Sequence, residues 1–502
     1  MQPWYKERHI QPSTALAVIE PKEIRKFDGA SRTDRLAGWR TPIQSVNQDL
    51  RIGGDILRAR CRDLSANNPN VHKARSEFVN ALVGTGIKCR VETEDPQLNA
   101  KVESLLSAFF KVCDSRIRSA DDSGIVFEAL QRTWAYTLFD TGEIVIRRRY
   151  RRLTDNLPIA MQLETLAAEY VDESWNIDRE DGSRIILGVE YDALGRKRGY
   201  YVRPRFPGDG PGSVGMTLPW SKFVPVSDLI LAYESVDGGQ VRGIPAASAV
   251  VITAKDTDDA ADAERVRMRV QACFTAFVTS EETSGIGPTV SEDSEGNPIT
   301  TMEPGLITFL RGGKTVTTPT PSSALGWADF DKAHLTRVAA GLGMSYERVS
   351  GDLSGTSFSS IRIGDNSFKT SIEALQATLF IPQVCNPCVK WALSTAIAQG
   401  LIPDREYPVR WIPPPWRQVD SETRADEVIK RMRGGLMSPQ DAILVETGRD
   451  WREVIRETAE FTRECEANGI TFDSLAVHIA SNGQAQSTTN PPKVSDGGKA
   501  PL

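Results

Sequence analysis

The sequence predicts an α+β fold, helix-rich with small β-sheets, and three observations carry that expectation. Apolar residues recur at three- and four-residue steps from Asp49 to Leu138 and again from Trp327 onward, the period of helices with one buried face. Between Asp140 and Tyr233 the period falls to two, as in half-buried strands. From Ala246 to Ser284 there is neither Gly nor Pro, which leaves room for one long helix. Helices and strands come in blocks, which argues against an alternating βαβ sheet.

Residues 1–49 are polar and weakly periodic and read as an N-terminal arm. Ile56, Leu57 and Leu64 mark a first helix, Asn67-Asn68-Pro69-Asn70 breaks and recaps the chain, and Val71, Ala74, Phe78, Val79 and Leu82 mark a second, ended by Gly84. Ile87, Cys89 and Val91 alternate with charged neighbours as a short strand. Helices follow on Leu98, Val102, Leu105 and Phe109, then on Phe127, Leu130, Trp134 and Leu138. Glu143 to Arg152 reads as a strand, and Arg184 to Tyr191 pairs with Lys197 to Arg203 across Asp192-Ala193-Leu194-Gly195 as a hairpin.

The turn Gly238-Gly239-Gln240-Val241-Arg242-Gly243-Ile244-Pro245 opens the long helix, where Val266, Val270, Cys273 and Phe277 share a face. Asp256, Asp258, Asp259 and Asp262 precede Arg265, Arg267 and Arg269, the order a helix dipole favours. Asp262 with Arg265, and Glu264 with Arg267, stand three apart and can pair. Ile307 to Leu310 and Thr315 to Thr318 flank Arg311-Gly312-Gly313-Lys314 as a second hairpin. Trp327, Phe330, Leu335 and Val338 start another helix, and the short polar residues from Ser350 to Ser360 read as a loop. Ile361, Phe368, Ile372, Leu375 and Leu379 make a clean helical stripe that Pro382 is expected to kink or break. Cys388, Trp391 and Ala392 carry a further helix to Gly400. After the Pro-rich Trp411–Trp416 come three short helices, with Ser438 as an N-cap before Pro439 and with Gly448 and Gly469 as C-terminal stops. From Ser481 the composition is that of a disordered tail.

With 502 residues the chain can bury a sizeable core. Lys plus Arg number 60 against 66 Asp plus Glu, a formal charge of -6, which argues against a DNA clamp that grips but not against a channel through which DNA slides. Seven scattered cysteines suit a reducing compartment better than a disulfide framework. No signal-peptide core follows Met1, and no stretch has the length to span a bilayer, so a soluble protein made in the cytoplasm is expected.

Several motifs invite chemistry. Asp258-Asp259-Ala260-Ala261-Asp262 matches the DDxxD pattern with which isoprenoid synthases hold magnesium, and a magnesium-dependent enzyme is the alternative reading it supports. No second acidic motif accompanies it, and a solvated acidic face explains it more simply. Gly313-Lys314-Thr315 resembles the end of a P-loop, but Thr308 stands where the first Gly belongs. Cys385-Asn386-Pro387-Cys388 lacks both a βαβ setting and a second CxxC. Arg147-Arg148-Arg149-Tyr150-Arg151-Arg152 suits phosphate contacts or a salt-bridged surface strand equally. No catalytic residue, metal ligand or cofactor site emerges from the residue types and spacings.

One series is specific in its order: Asn67-Asn68-Pro69 with Val83-Gly84-Thr85-Gly86-Ile87, Asp140-Thr141-Gly142-Glu143, Gly239-Gln240-Val241-Arg242-Gly243-Ile244-Pro245, Ala339 to Glu347, and Phe358-Ser359-Ser360-Ile361-Arg362. It resembles the lambda-type portal proteins of tailed bacteriophages. The resemblance implies a portal fold of wing, stem, clip and crown, and a ring, a dodecamer in the virion, at one capsid vertex. Double-stranded DNA would be packaged through it by terminase and later ejected. On that plan residues 50–244 and 361–417 are wing, 245–280 and 327–348 the stem helices, 281–326 the clip, 349–360 the tunnel loop, 418–479 the crown and 480–502 the tail. Ser354, Gly355, Thr356, Ser357, Ser359 and Ser360 would face DNA, and Arg311, Gly312, Gly313 and Lys314 the terminase. Asp258, Asp259, Asp262, Arg265, Arg267 and Arg269 would lie between subunits, and Gly239, Gln240, Arg242, Gly243 and Pro245 would form the joint of wing and stem. The implied partners are further copies of the chain, DNA, the terminase large subunit, a head-tail connector or adaptor, and the major capsid and scaffold proteins, with no membrane. A different connector ring is the second alternative. Assembly in the cytoplasm of a bacterial host is implied.

Overall fold

A computed structural model of the chain describes residues 43–117, 124–209, 220–273, 278–280, 309–311, 326–354, 357–416 and 421–468. The arm up to residue 42, most of 281–325 and the tail beyond 468 lie outside the described residues, as do Gly312, Gly313, Lys314, Gly355 and Thr356. The first helix, α1 (Val46–Asn67), begins inside the expected arm, and its buried side is Leu50, Gly54, Arg58, Cys61 and Leu64, leaving Ile56 exposed. Asn68 caps α2 (Pro69–Leu82): its Oδ1 accepts the Val71 N–H at 2.8 Å, and Pro69 sits where a missing N–H is harmless. β1 (Lys88–Val91), α3 (Pro96–Val112) and α4 (Phe127–Thr141) follow. Gly142 ends α4 at φ 76°, a left-handed cap.

Next come β2 (Glu143–Tyr150), β3 (Met161–Leu166), β4 (Ile177–Asp178), β5 (Arg184–Ile186), β6 (Val189–Tyr191), β7 (Lys197–Val202), β8 (Lys222–Pro225) and β9 (Leu229–Tyr233). They form two antiparallel sheets, ordered β3-β2-β9 and β4-β5-β6-β7-β8. The expected strand Arg184–Tyr191 proves to be a hairpin in itself. Leu187 and Gly188 take φ of 48° and 81°, as a two-residue hairpin turn requires, and β5 then pairs with β6. The smaller sheet is covered on both faces. Ile144, Ile146, Ile230 and Ala232 face the helices, while Val145, Leu229, Leu231 and Tyr233 meet Val189, Tyr200, Val202 and Val224 of the larger sheet. That is why the apolar run Ile144-Val145-Ile146 is unbroken.

The long helix α5 (Val251–Cys273) ends earlier than expected, and Val278–Ser280 is instead a strand, β10, paired in parallel with β11 (Phe309–Arg311). β-Branched Val278 and Thr279 favour the extended form. Arg311, placed in a hairpin turn by the sequence, closes β11, whose partner β10 lies upstream. α6 (Trp327–Gly341), α7 (Tyr346–Ser350) and α8 (Phe358–Leu375) follow. The loop expected over Ser350–Ser360 is shorter at both ends: Ser350 closes α7, and Ser359 and Ser360 lie in the first turn of α8. Ser350 is at home at a helix end, its Oγ donating to the Tyr346 carbonyl at 2.8 Å. Pro382 breaks nothing. It sits in a π-helical stretch, Gln376–Cys385, whose wider turns tolerate a residue without an N–H, and the backbone runs on into α9 (Asn386–Ala398).

β12 (Val409–Ile412) returns to pair antiparallel with β1. Three helices close the described chain: α10 (Ser421–Arg433), α11 (Pro439–Thr447) and α12 (Trp451–Ala467). Ser438 Oγ accepts the Asp441 N–H at 3.1 Å, and Gly448 caps α11 in the left-handed region. One large core gathers side chains from α1 to α9, with Trp134 wholly buried and its Nε1 donating to Thr165 Oγ1 at 2.8 Å. Among the described residues no helix is long and apolar enough to cross a membrane.

Candidate functional site

The turn before α5 is tied down by its own side chains. Gln240 Oε1 accepts the N–H of Val236 and Asp237 at 2.8 and 3.2 Å, and its Nε2 donates to the Arg242 carbonyl at 2.7 Å. Asn47 of α1 brackets the same turn, donating to the Gly239 carbonyl at 2.8 Å and accepting from the Val241 N–H at 2.9 Å. Gly239 holds φ 79°, and the Pro245 carbonyl accepts the Ser248 N–H at 3.0 Å as the chain turns into α5. Gly142 and Gly243 touch backbone to backbone: a Cβ on Gly243 would lie 2.0 Å from the Gly142 carbonyl oxygen. The motifs Asp140–Glu143 and Gly239–Pro245, far apart in sequence, therefore interlock.

At the centre Arg242 is 0% exposed. Its Nε and Nη2 each donate to Glu143 at 2.7 Å, a bidentate pair, its Nη1 lies 2.9 Å from Glu173 Oε1, and Nη2 also donates to the Ala168 carbonyl at 3.0 Å. Glu143 Oε1 further accepts the Gly243 N–H at 2.7 Å. The charges continue outward with alternating sign. Buried Arg58 pairs with Glu173 at 2.6 Å and Asp55 at 2.8 Å, and Arg62 grips Glu169 at 2.5 and 2.7 Å. Burial pushes the Glu173 carboxyl up despite the Arg242 and Arg58 charges beside it. Burial would also raise Asp172, but hydrogen bonds from Ser174, Ser221 and Arg203, with the Arg203 charge, hold it below the usual range. The sequence marked Arg242 as part of this joint but not Glu143, Glu169, Glu173, Arg58 or Arg62 as its partners. No periodic signal joins residues so distant along the chain.

On α5 the three aspartates do not converge. Asp258 accepts from Asn68 Nδ2 at 2.9 Å, Asp259 pairs with Lys255 at 2.7 Å, and Asp262 pairs with Arg265. Glu264 and Arg267 form the other three-residue pair at 2.5 and 2.7 Å. A shared cation would require these carboxylates to meet at one point. Val266 and Met268 are 57% and 50% exposed, and Arg269 is exposed too, so this half of the helix has no apolar cover among the described residues.

The shortened loop is anchored at its start. Arg348 of α7 reaches Glu77 of α2 at 2.8 Å and Asp365 of α8 at 2.9 Å, and lies 4.6 Å from the Phe368 ring centre. Asp352 accepts the Ser354 N–H at 2.8 Å, and Ser354 and Ser357 are exposed. The arginine strand is used internally: Arg148 donates to Thr395 at 2.9 Å, Arg149 to Glu164 at 2.7 and 3.0 Å, and Arg151 to Gln162 and the Ser115 carbonyl at 2.6 and 2.7 Å. Cys385 and Cys388 are wholly buried, and burial pushes both thiols far up, the reverse of what a redox pair needs.

Residues 32–376 match a family model described as phage portal protein, lambda family. A probable portal protein of Halomonas phage phiHAP-1 is 24% identical over 484 residues, covering 91% of this chain and 90% of that protein. Portal protein B of Escherichia phage lambda is 22% identical over 508 residues, covering 92% and 93%. Among solved structures, a chain in the virion of a native gene transfer agent particle aligns at a TM-score of 0.42 and 11% identity, covering 78% of this chain and 97% of that one. On a family match that spans the joint, α5 and the loop after α7, this chain belongs to the lambda family of phage portal proteins, and its role is that of a portal protein.

Proposed function

We propose that copies of the chain close into a ring, a dodecamer in the virion, at one capsid vertex, and that double-stranded DNA enters through its channel under terminase and leaves through it at ejection. The observation that carries this reading is the exposure of Val266 and Met268 on a 23-residue helix whose Asp259, Asp262 and Glu264 already pair within the helix. Two positions apart, these side chains point to different sides of the helix, so it gains by burying each against a neighbour, and head-to-tail contacts close a ring when their rotation allows. α5 and α6 are then the stem, with Asp258, Asp259, Asp262, Arg265, Arg267 and Arg269 near the subunit boundary, and the stem helix expected over 327–348 stops at Gly341, before the separate α7. The joint around Arg242 transmits load from stem to wing.

The loop from 351 to 357 faces DNA in this reading. Its small hydroxyl and glycine side chains, with a net charge of -6 on the chain, add few phosphate contacts and hence little drag. The segment around Arg311–Lys314 meets the terminase large subunit and later the head-tail connector, and the wing meets the major capsid and scaffold proteins. The role is structural, with neither catalysis nor cofactor, and assembly takes place in the bacterial cytoplasm. Negative-stain microscopy of the purified protein, alone and coexpressed with capsid protein, should show rings with a central channel. Compact monomers under every condition would overturn the proposal.

A further inference from the structure

We propose that α10–α12 move as one unit relative to the rest of the chain, held to it by an ionic clasp centred on Arg90 that competing ions release. Arg90 and Arg410 are direct cross-strand partners in the β1–β12 ribbon, a like-charge pairing that needs acids around it. The body supplies one acid to each: Glu103 lies 3.4 Å from Arg90 Nη1, and Glu92 lies 3.7 Å from Arg410 Nη1. The helical unit supplies the rest. Glu453 lies 3.1 Å from Arg90 Nη2, Asp450 lies 3.8 Å from its Nε, and Asp441 lies 4.0 Å from Arg410 Nη2. Asp450 also N-caps α12, its Oδ1 accepting the Arg452 N–H at 2.8 Å, so the acid facing Arg90 is fixed to the start of that helix.

Apolar contact at the seam is a small patch, Ile412 of β12 beside Leu444 of α11 and Trp451 of α12, separate from both cores of the body. The buried apolar side chains of the unit, Val428, Ala442 and Cys465, join neither core of the body, while Leu436, Ile455 and Phe461 stay exposed. A cavity of about 20 Å³, room for a water molecule, lies in the seam between the ribbon and the starts of α11 and α12. Gly448 lies close to Pro415, and a Cβ on it would fall 2.4 Å from the proline ring. Ion pairs that solvent reaches are individually weak and are screened within about 3 Å at 1 M salt. The attachment is therefore marginal and salt-sensitive, unlike that of any helix in the main core. This inference stands apart from the channel reading and holds or fails without it.

Hydrogen exchange of the full-length protein tests it. Raising sodium chloride from about 0.1 to about 1 M should speed amide exchange across 421–468 by roughly fivefold while α4 and α9 keep their protection. Arg90→Gln should give the faster exchange already at low salt and lose most of the salt dependence. Glu453→Gln, which leaves the β1–β12 ribbon intact, should do the same, and the double variant should be no faster than either single one. Unchanged exchange across 421–468 in both single variants would overturn the proposal, as would acceleration that spreads equally into α4 and α9.

Discussion

Arg242 and Glu143 depend on each other. Both are wholly buried, and each satisfies donors or acceptors that water cannot reach. Replacing Glu143 by Gln leaves a buried guanidinium undercompensated and should lower stability by about 3 kcal/mol in denaturant unfolding. The double variant Glu143→Leu with Arg242→Met should lose less than the sum of its single changes, and strict additivity would show that the pair is not coupled. Asp172 makes a pH prediction. Its folded pKa lies below the ordinary 3.8, so its stabilisation is present above 3.8 and is lost as pH falls through the folded value. Asp172→Asn should therefore lower the Tm at neutral pH, with the gap to the parent closing on acidification. At this scale the sequence showed the local Asp262–Arg265 and Glu264–Arg267 pairs, though not others such as Asp55–Arg58 or Lys255–Asp259. Arg242 and Glu143, 99 positions apart, leave no local pattern, and the buried network around them is the part of the site that sequence reading missed.

Among the elements, those with their own start and stop chemistry were read well, as with Asn68 before α2 and Ser438 before α11. Those decided by neighbours were not. The strand read over Arg184–Tyr191 folds back at Leu187-Gly188, where a Cβ on Gly188 would lie 2.5 Å from the Asp172 carbonyl oxygen. Pro382 was expected to interrupt a helix that instead widens around it. The interlock of Gly142 and Gly243 gives the prediction that belongs here. Gly243→Ala drives a methyl into backbone and should cost about 3 kcal/mol, whereas Gly195→Ala, at φ 80° with nothing within 4 Å, should cost only the strain of its conformation, about 1 kcal/mol. Thermal melts of the two variants compare them directly. Equal losses would mean that the close approach at the joint relaxes freely.

For the molecule as a whole, Val266→Glu with Met268→Glu separates folding from assembly. Both side chains are exposed, so monomer stability should shift by no more than about 0.5 kcal/mol, while ring formation followed by light scattering should fail. Rings that persist would place the subunit contact elsewhere. The ordered motif series read from the sequence carried the family assignment, and two of its members meet at the joint, where Gly142 packs on Gly243 and Glu143 grips Arg242. The sheet β3-β2-β9 has a consequence of its own. Val145 belongs to one core and Ile144 and Ile146 to the other, so losing either core strips one face of the same three strands. Loss of either core should therefore destabilise the other. Calorimetry should accordingly find one cooperative transition for both, with the amides of β2 the slowest in the molecule to exchange.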